Sequence, residues 1–255
     1  MRRGIGVSIL LVLLLTAAAG ADEVTRNWQS IVLEDFDDGD SQWIVRGGKF
    51  LAVADEDGDG EPDNDYNYPF EYQIVDGLWP EDMGEPESEN PGVLGVQAAF
   101  TRRGYNYLEF VPIEDEPDED GNPVPRAITI PGRPEAIDVW AWGSNYDYYL
   151  ELQVRDYRGI VHNLKLGNLG YAGWRNLVTD IPNYIPRAVR FVPQRRRMEL
   201  VKVVLWTRPE ESVAGFHFYL DQIKVLTDMF ETGFDGEQLA EPDFVQEVWG
   251  TEQRQ

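Results

Sequence analysis

Between Tyr148 and Arg155 the side chains alternate, with Tyr148, Leu150, Leu152 and Val154 on one side and Tyr149, Glu151, Gln153 and Arg155 on the other. A period of two belongs to an extended strand with one dry and one wet face. The same beat returns in Phe216, Phe218 and Leu220 against His217, Tyr219 and Asp221, which makes His217 a surface histidine. Similar β-branched and aromatic runs, bounded by Gly, Pro, Asn and Asp, predict strands over 31–36, 43–53, 93–100, 105–111, 127–130, 136–142, 148–156, 160–166, 199–206 and 216–225. Helical periodicity is scarce. The pattern predicts an all-β protein built as a two-sheet antiparallel β-sandwich.

Two stretches interrupt the strands. Residues 55–90 and 114–125 are acidic and rich in Gly and Pro, and are expected to be long loops within one domain. Beyond Phe234 the periodicity fades while carboxylates persist, so 236–255 reads as an acidic tail, flexible or docked on a partner. At the other end, Arg2 and Arg3 precede an apolar run from Ile5 to Leu15 and the small residues Ala19-Gly20-Ala21. That is the layout of a cleaved secretory signal over residues 1–21, with an apolar run too short for a bilayer span of about 20 residues. The expected mature chain starts at Asp22, its sandwich domain covers 22–235, and no membrane contact remains after cleavage.

Composition narrows the partners. The chain of 255 residues has 22 basic and 46 acidic residues, a net charge of −24; the signal holds two of the basic residues and none of the acidic ones, so the mature charge is −26. Such a surface repels nucleic acid and anionic lipid, and most of its carboxylates serve solubility. With no Cys, the exported fold has neither disulfide nor lipid anchor and stands on its core.

The sharpest candidate for chemistry is Asp55-Glu56-Asp57-Gly58-Asp59-Gly60-Glu61-Pro62-Asp63. Asp55, Asp57, Asp59 and Asp63 fall at positions 1, 3, 5 and 9 about a Gly at 6, the first half of a calcium loop, in which oxygens must converge on a hard cation. Position 12 is Tyr66 instead of a bidentate Glu, and no helices flank the segment. Calcium is therefore a possible ligand and not a required cofactor, and Asp118-Glu119-Asp120-Gly121-Asn122 is a weaker version of the same idea. A solvated acidic loop is the plainer reading of both.

Trp140, Trp142 and Tyr146 lie in an aromatic cluster over 139–149, where one strand face would be core and the other an interface. The alternative is that both faces are buried. Arg195, Arg196 and Arg197, with Arg187 and Arg190 nearby, form the one basic spot and a docking candidate, unless they are a solvated turn. There is no Cys nucleophile, no Gly-x-Ser-x-Gly elbow and no phosphate loop, so no enzyme activity is expected.

The segments Val139–Tyr146, Tyr149–Asp156, Gly173–Leu177, Ile181–Pro186, Tyr219–Asp228 and Phe234–Gly236 resemble, in order and spacing, the spirochaete flagellar filament outer-layer (sheath) protein family, FlaA. The resemblance spans about Ile128 to Leu239, close to half of the mature chain. It implies a carbohydrate-binding-module-like, jelly-roll β-sandwich, exported by the Sec route to the periplasm. It also implies a structural role in the outer layer of the periplasmic flagellum, around core flagellins and beside copies or paralogues of itself. The alternative is a periplasmic or secreted carbohydrate-binding module that uses Trp140, Trp142 and Tyr146 as its stacking surface. A calcium-dependent adhesion module is a third reading, dependent on the Asp55 loop.

Overall fold

The computed structural model describes residues 26–37, 42–52, 70–86, 88–190 and 195–229. The segment 1–21 expected to be a signal, the acidic stretch 55–63 proposed for calcium and residues 236–255 lie outside them. Fourteen strands occur among the described residues: β1 (Trp28–Glu34), β2 (Trp43–Gly47), β3 (Glu71–Asp76), β4 (Gly92–Ala98), β5 (Tyr107–Pro112), β6 (Ile128–Thr129), β7 (Arg133–Ser144), β8 (Tyr149–Arg155), β9 (Val161–Asn168), β10 (Ala172–Asp180), β11 (Ala188–Arg190), β12 (Arg195–Arg197), β13 (Glu199–Trp206) and β14 (Phe216–Asp228). They make two antiparallel six-stranded sheets and a small β11–β12 hairpin, as the alternation predicts.

Both sheets are organised around one long strand. In the first sheet β14 pairs with β7 along one edge, and its other edge is shared by β4 in the first half and β1 in the second. β10 extends beyond β7 and β3 beyond β4. In the second sheet β13 pairs with β8 on one side and with β5 and β6 on the other, β2 and β9 forming the edges.

Between the sheets lie the apolar positions of each alternation: Leu150, Leu152 and Val154 of β8, Phe216, Phe218 and Leu220 of β14, and Ile137, Val139 and Ala141 of β7, all buried. Aromatic rings lock the layers together. Phe110 of β5 meets Phe218 of β14 at 5.5 Å, and Tyr148 stands edge-on to Phe216 at 5.1 Å with its hydroxyl donating to the Ser212 carbonyl at 2.5 Å. Fully burying one such large side chain is worth roughly 1.5–3 kcal/mol, which a Cys-free fold requires.

A bulge in β14 redirects its side chains. The register jumps from Asp221 opposite Trp140 to Lys224 opposite Asp138, and Gln222 takes a left-handed φ of 46°. Before it the even residues point inward; after it the odd ones do, so Ile223, Val225 and Thr227 are buried.

The structure differs from the sequence reading in several places: the strand expected over 43–53 stops at Gly47 and gives way to a turn at 49–50. The 55–90 stretch is not loop throughout, since β3 and a 3-10 turn over Glu81–Met83 lie within it. β10, unpredicted, is an edge strand whose burial shows no clean alternation. Arg195–Arg197 is a strand of a hairpin instead of a turn.

Candidate interaction surfaces

The outer face of the first sheet carries an aromatic row. Trp174 of β10 pairs in register with Trp142 of β7, which pairs in turn with Tyr219 of β14. The Trp142 and Tyr219 rings meet edge-on at 5.4 Å, and Trp174 lies 6.5 Å from Tyr219. The next residue in the row, on β4, is Gly95. A Cβ there would sit 3.0 Å from the Tyr219 ring and 3.0 Å from Val75 Cγ2, so the missing side chain leaves Tyr219 room to lie across β4. All three rings are half-buried.

One row further along, Trp140 stands opposite Asp221. Trp140 is 9% exposed and Asp221 only 2%, although both project from the outward side of the sheet. Asp221 lies where β4 ends and β1 begins. Burial pushes its carboxyl up to about 8; nearby Asp37 and Asp35 push the same way, while the Gln222 amide, which donates to it at 2.7 Å, and Lys224 pull it down. The neighbouring Asp138 is also raised by burial, against the pull of Lys224 Nζ at 3.6 Å. Asp37 in turn accepts the Gly92 amide at 2.9 Å, tying the β1 end to β4. Trp140 thus seals this junction, whereas Trp142 belongs to the open row. Among the described residues, no three acidic or His side chains are grouped to hold a metal.

The second sheet has a matching row. Tyr107 of β5 and Tyr149 of β8 flank Trp206 of β13 in register, with ring centroids at 5.3 Å and 6.4 Å from Trp206, the latter pair nearly parallel. Trp206 Nε1 donates to Glu151 at 2.9 Å, and Arg208 and Lys165 lie over Tyr149 at 4.9 and 5.8 Å. Further along, Lys202 pairs with Glu109, and Arg155 with Glu199 at 2.7 Å. The short β7–β8 connection joins Ser144 to Tyr149, so the two rows sit at the same end of the sandwich on opposite outer faces.

The sequence candidates fall in different places. Trp140 and Trp142 share the outer face of the first sheet, opposite the core residues Ile137, Val139 and Ala141. Tyr146 does not join them. Its ring stacks on Tyr148 at 5.3 Å and its hydroxyl donates to the Gly215 carbonyl at 3.2 Å, packing the loop that closes the core. Arg187 is buried, paired with Glu135 and donating to the Ile181 carbonyl at 2.6 Å, so it stabilises the fold. Arg195, Arg196 and Arg197 lie on β12 beside it in sequence. The Asp118 carboxylate accepts the backbone amides of Asn122 and Asp120 at 2.8 and 3.0 Å, and these bonds lower its affinity for a proton. Both amides bond Oδ1, which thereby closes the turn. His162 Nε2 lies 2.9 Å from Asp156, which also accepts the Arg158 and Ile160 amides. His217 projects outward, half-buried.

Sequence reasoning missed Trp174, Tyr107 and Trp206 as surface aromatics. Parity along one strand places Tyr219 and Tyr149 outward, but the rows exist only because separate strands align in register. A local pattern carries no information on that alignment.

These features define a class: a two-sheet antiparallel β-sandwich whose outer faces carry the grouped aromatic side chains. The chain belongs to the family of the flagellar filament outer layer protein FlaA, whose sequence model matches residues 80–235. Among curated relatives it is 26% identical over 149 residues to a flagellar filament outer layer-like protein of Brachyspira hyodysenteriae, covering 58% of this chain and 63% of that one. It is 27% identical over 128 residues to the flagellar filament outer layer protein of Borreliella burgdorferi, covering 46% and 37%. The match thus spans less than two thirds of either relative. Solved structures that superpose include a β-sandwich carbohydrate-binding module at a TM-score of 0.43 and 11% identity, over 76% of this chain and 61% of that one. A family 11 carbohydrate-binding module from Clostridium thermocellum gives 0.38 at 10% identity, over 78% and 95%. Likeness at this level says nothing of ligands.

Proposed function

We propose that the protein is a non-catalytic structural subunit of the outer layer of a periplasmic flagellar filament. In this reading it is exported by the Sec route through residues 1–21, surrounds a flagellin core and contributes to filament stiffness, shape and motility. The observation that carries the reading is the family match over residues 80–235, which contains both long central strands and both aromatic rows. The grouped surface side chains are aromatic and charged, the kind that anchor protein contacts, and they sit on rigid strands. Such a subunit works by packing, so no turnover and no cofactor is required of it. Calcium at Asp55, Asp57, Asp59 and Asp63 remains an expectation for calorimetry of the parent chain beside Asp57→Ala: equal heats remove it. Deleting the protein is expected to thin the filaments and alter swimming, read by electron microscopy and motility tracking. Filaments of unchanged diameter would overturn the proposal.

A second reading, a carbohydrate-binding module, draws on the half-exposed row of Trp174, Trp142 and Tyr219, since aromatic faces also stack on sugars. Glycan binding by the purified chain that disappears in Trp142→Ala, with folding intact, would favour it.

A further inference from the structure

We infer that copies of this chain contact one another front to back, the outer face of the first sheet in one copy against the outer face of the second sheet in the next. The inference rests on the outer-layer reading and names the surfaces that reading would use. Three observations carry it.

The first is charge. In a chain with 46 acidic and 22 basic residues, a surface picked without regard to function should be acidic. The outer side of the second sheet departs from this. Arg46, Arg155, Lys165 and Lys202 project from it, and at its rim Arg208 is offset by Asp147 at 3.2 Å. Its strand carboxylates are Glu109, Glu151 and Glu199. The outer side of the first sheet has the opposite balance. Glu71, Asp138 and Asp180 face Lys224, with Arg26 at the rim over the Trp28 ring, while Arg133 and Asp228 stand opposite one another in register and offset each other; Asp221, buried and held protonated, adds no charge. Opposite balances attract across a contact, whereas the first-sheet face against its own copy would set carboxylates against carboxylates.

The second is that each face holds an aromatic row, Trp174–Trp142–Tyr219 on one and Tyr107–Trp206–Tyr149 on the other, at the same end of the sandwich. Half-buried Trp and Tyr on rigid strands are the side chains that carry most of the energy of protein contacts. The third is geometry. The two faces point in opposite directions, so each contact leaves a free face at both ends. Such heterologous contacts generate a ring or an open fibre instead of a closed pair. That is the assembly a layer along a filament needs.

The absence of native Cys allows a clean test. Val178 is 58% exposed on the outer side of the first sheet, and Asn163 is exposed on that of the second. Cells would carry Val178→Cys, Asn163→Cys or both in the full-length protein. Isolated filaments would be treated with a short thiol-to-thiol crosslinker, and coating would be scored separately with antibody against the chain. The proposal expects a ladder of multimers from the double variant and monomer from each single one. Adding Lys165→Glu to the double variant, which leaves the core untouched, should cut the ladder severalfold, as should raised salt. Dimers from a single-Cys variant would mean like faces meet, and coated filaments without a ladder would mean these faces do not meet. Either result overturns the inference and leaves the outer-layer reading standing. Filaments without coat would overturn both.

Discussion

At the residue scale, Asp221 is a carboxyl where strand parity calls for an outward polar group, yet the β1–β4 junction covers it. With its native affinity for protons raised to about 8 from 3.8, the folded state binds more protons than the unfolded one between those values. Stability due to this group is therefore full at low pH and lost as pH rises through that window. Asp221→Asn keeps an oxygen for the Gln222 amide and removes the charge. It should raise the melting temperature at pH 8 by the equivalent of about 1–3 kcal/mol, and much less at pH 5, measured by calorimetry at both values. Equal shifts at both pH values would mean the carboxyl is not held neutral.

Asp156 has the opposite sign. Its burial opposes ionisation, but His162 and the Ile160 and Arg158 amides outweigh that and hold the carboxyl below its ordinary value. Its contribution is present above about pH 4 and lost as the pH falls through its lowered native value. Asp156→Ala should destabilise the β8–β9 turn by about 1–2 kcal/mol at pH 7 and by less near pH 3, read from urea midpoints.

At the scale of elements, the bulge of β14 decides which side chains face the core on the longest strand. Gln222→Val sets a β-branched residue at a φ of 46° and should cost about 1–3 kcal/mol, where Gln222→Gly should be near neutral in the same urea titration. Gly95 supports the first aromatic row in the same way: Gly95→Val should displace Tyr219 and change the near-UV signal of the Trp142–Tyr219 pair with little loss of far-UV strand signal. The bulge also marks the limit of what the sequence discloses. Alternation in 216–221 is legible because it is local, and β8 is predicted to within one residue at each end. Parity changes at Gln222 because the strand must pass from β4 to β1 as its neighbour, a tertiary requirement that leaves no local pattern. β10 escaped for a related reason. As an edge strand it holds Gly173, Arg175 and Asn176 among its apolar residues, and no two-residue beat survives.

At the scale of the whole molecule, the class of fold followed from alternation, the scarcity of helix signals and the resemblance. The aromatic faces followed only in part. The sequence offers Trp142 as an interface candidate without deciding between core and surface, and its companions Trp174 and Tyr219 come from strands 32 and 77 residues further along, which the strand pairing brings together. Tyr146, adjacent in sequence, went to the core edge because the β7–β8 connection turns through Asn145, at a φ of 64°. The charge of the chain was also misleading as a whole-molecule average: a net −24 conceals a second-sheet face on which basic groups outnumber acidic ones.

The central claim, that this sandwich is a subunit of a filament outer layer, is tested most directly by immunogold electron microscopy of cells and isolated flagellar filaments, with antibody raised against the chain from Asp22. Regular labelling along the filament surface is the predicted result. Bare filaments, with label in the soluble periplasm or the medium, would contradict it.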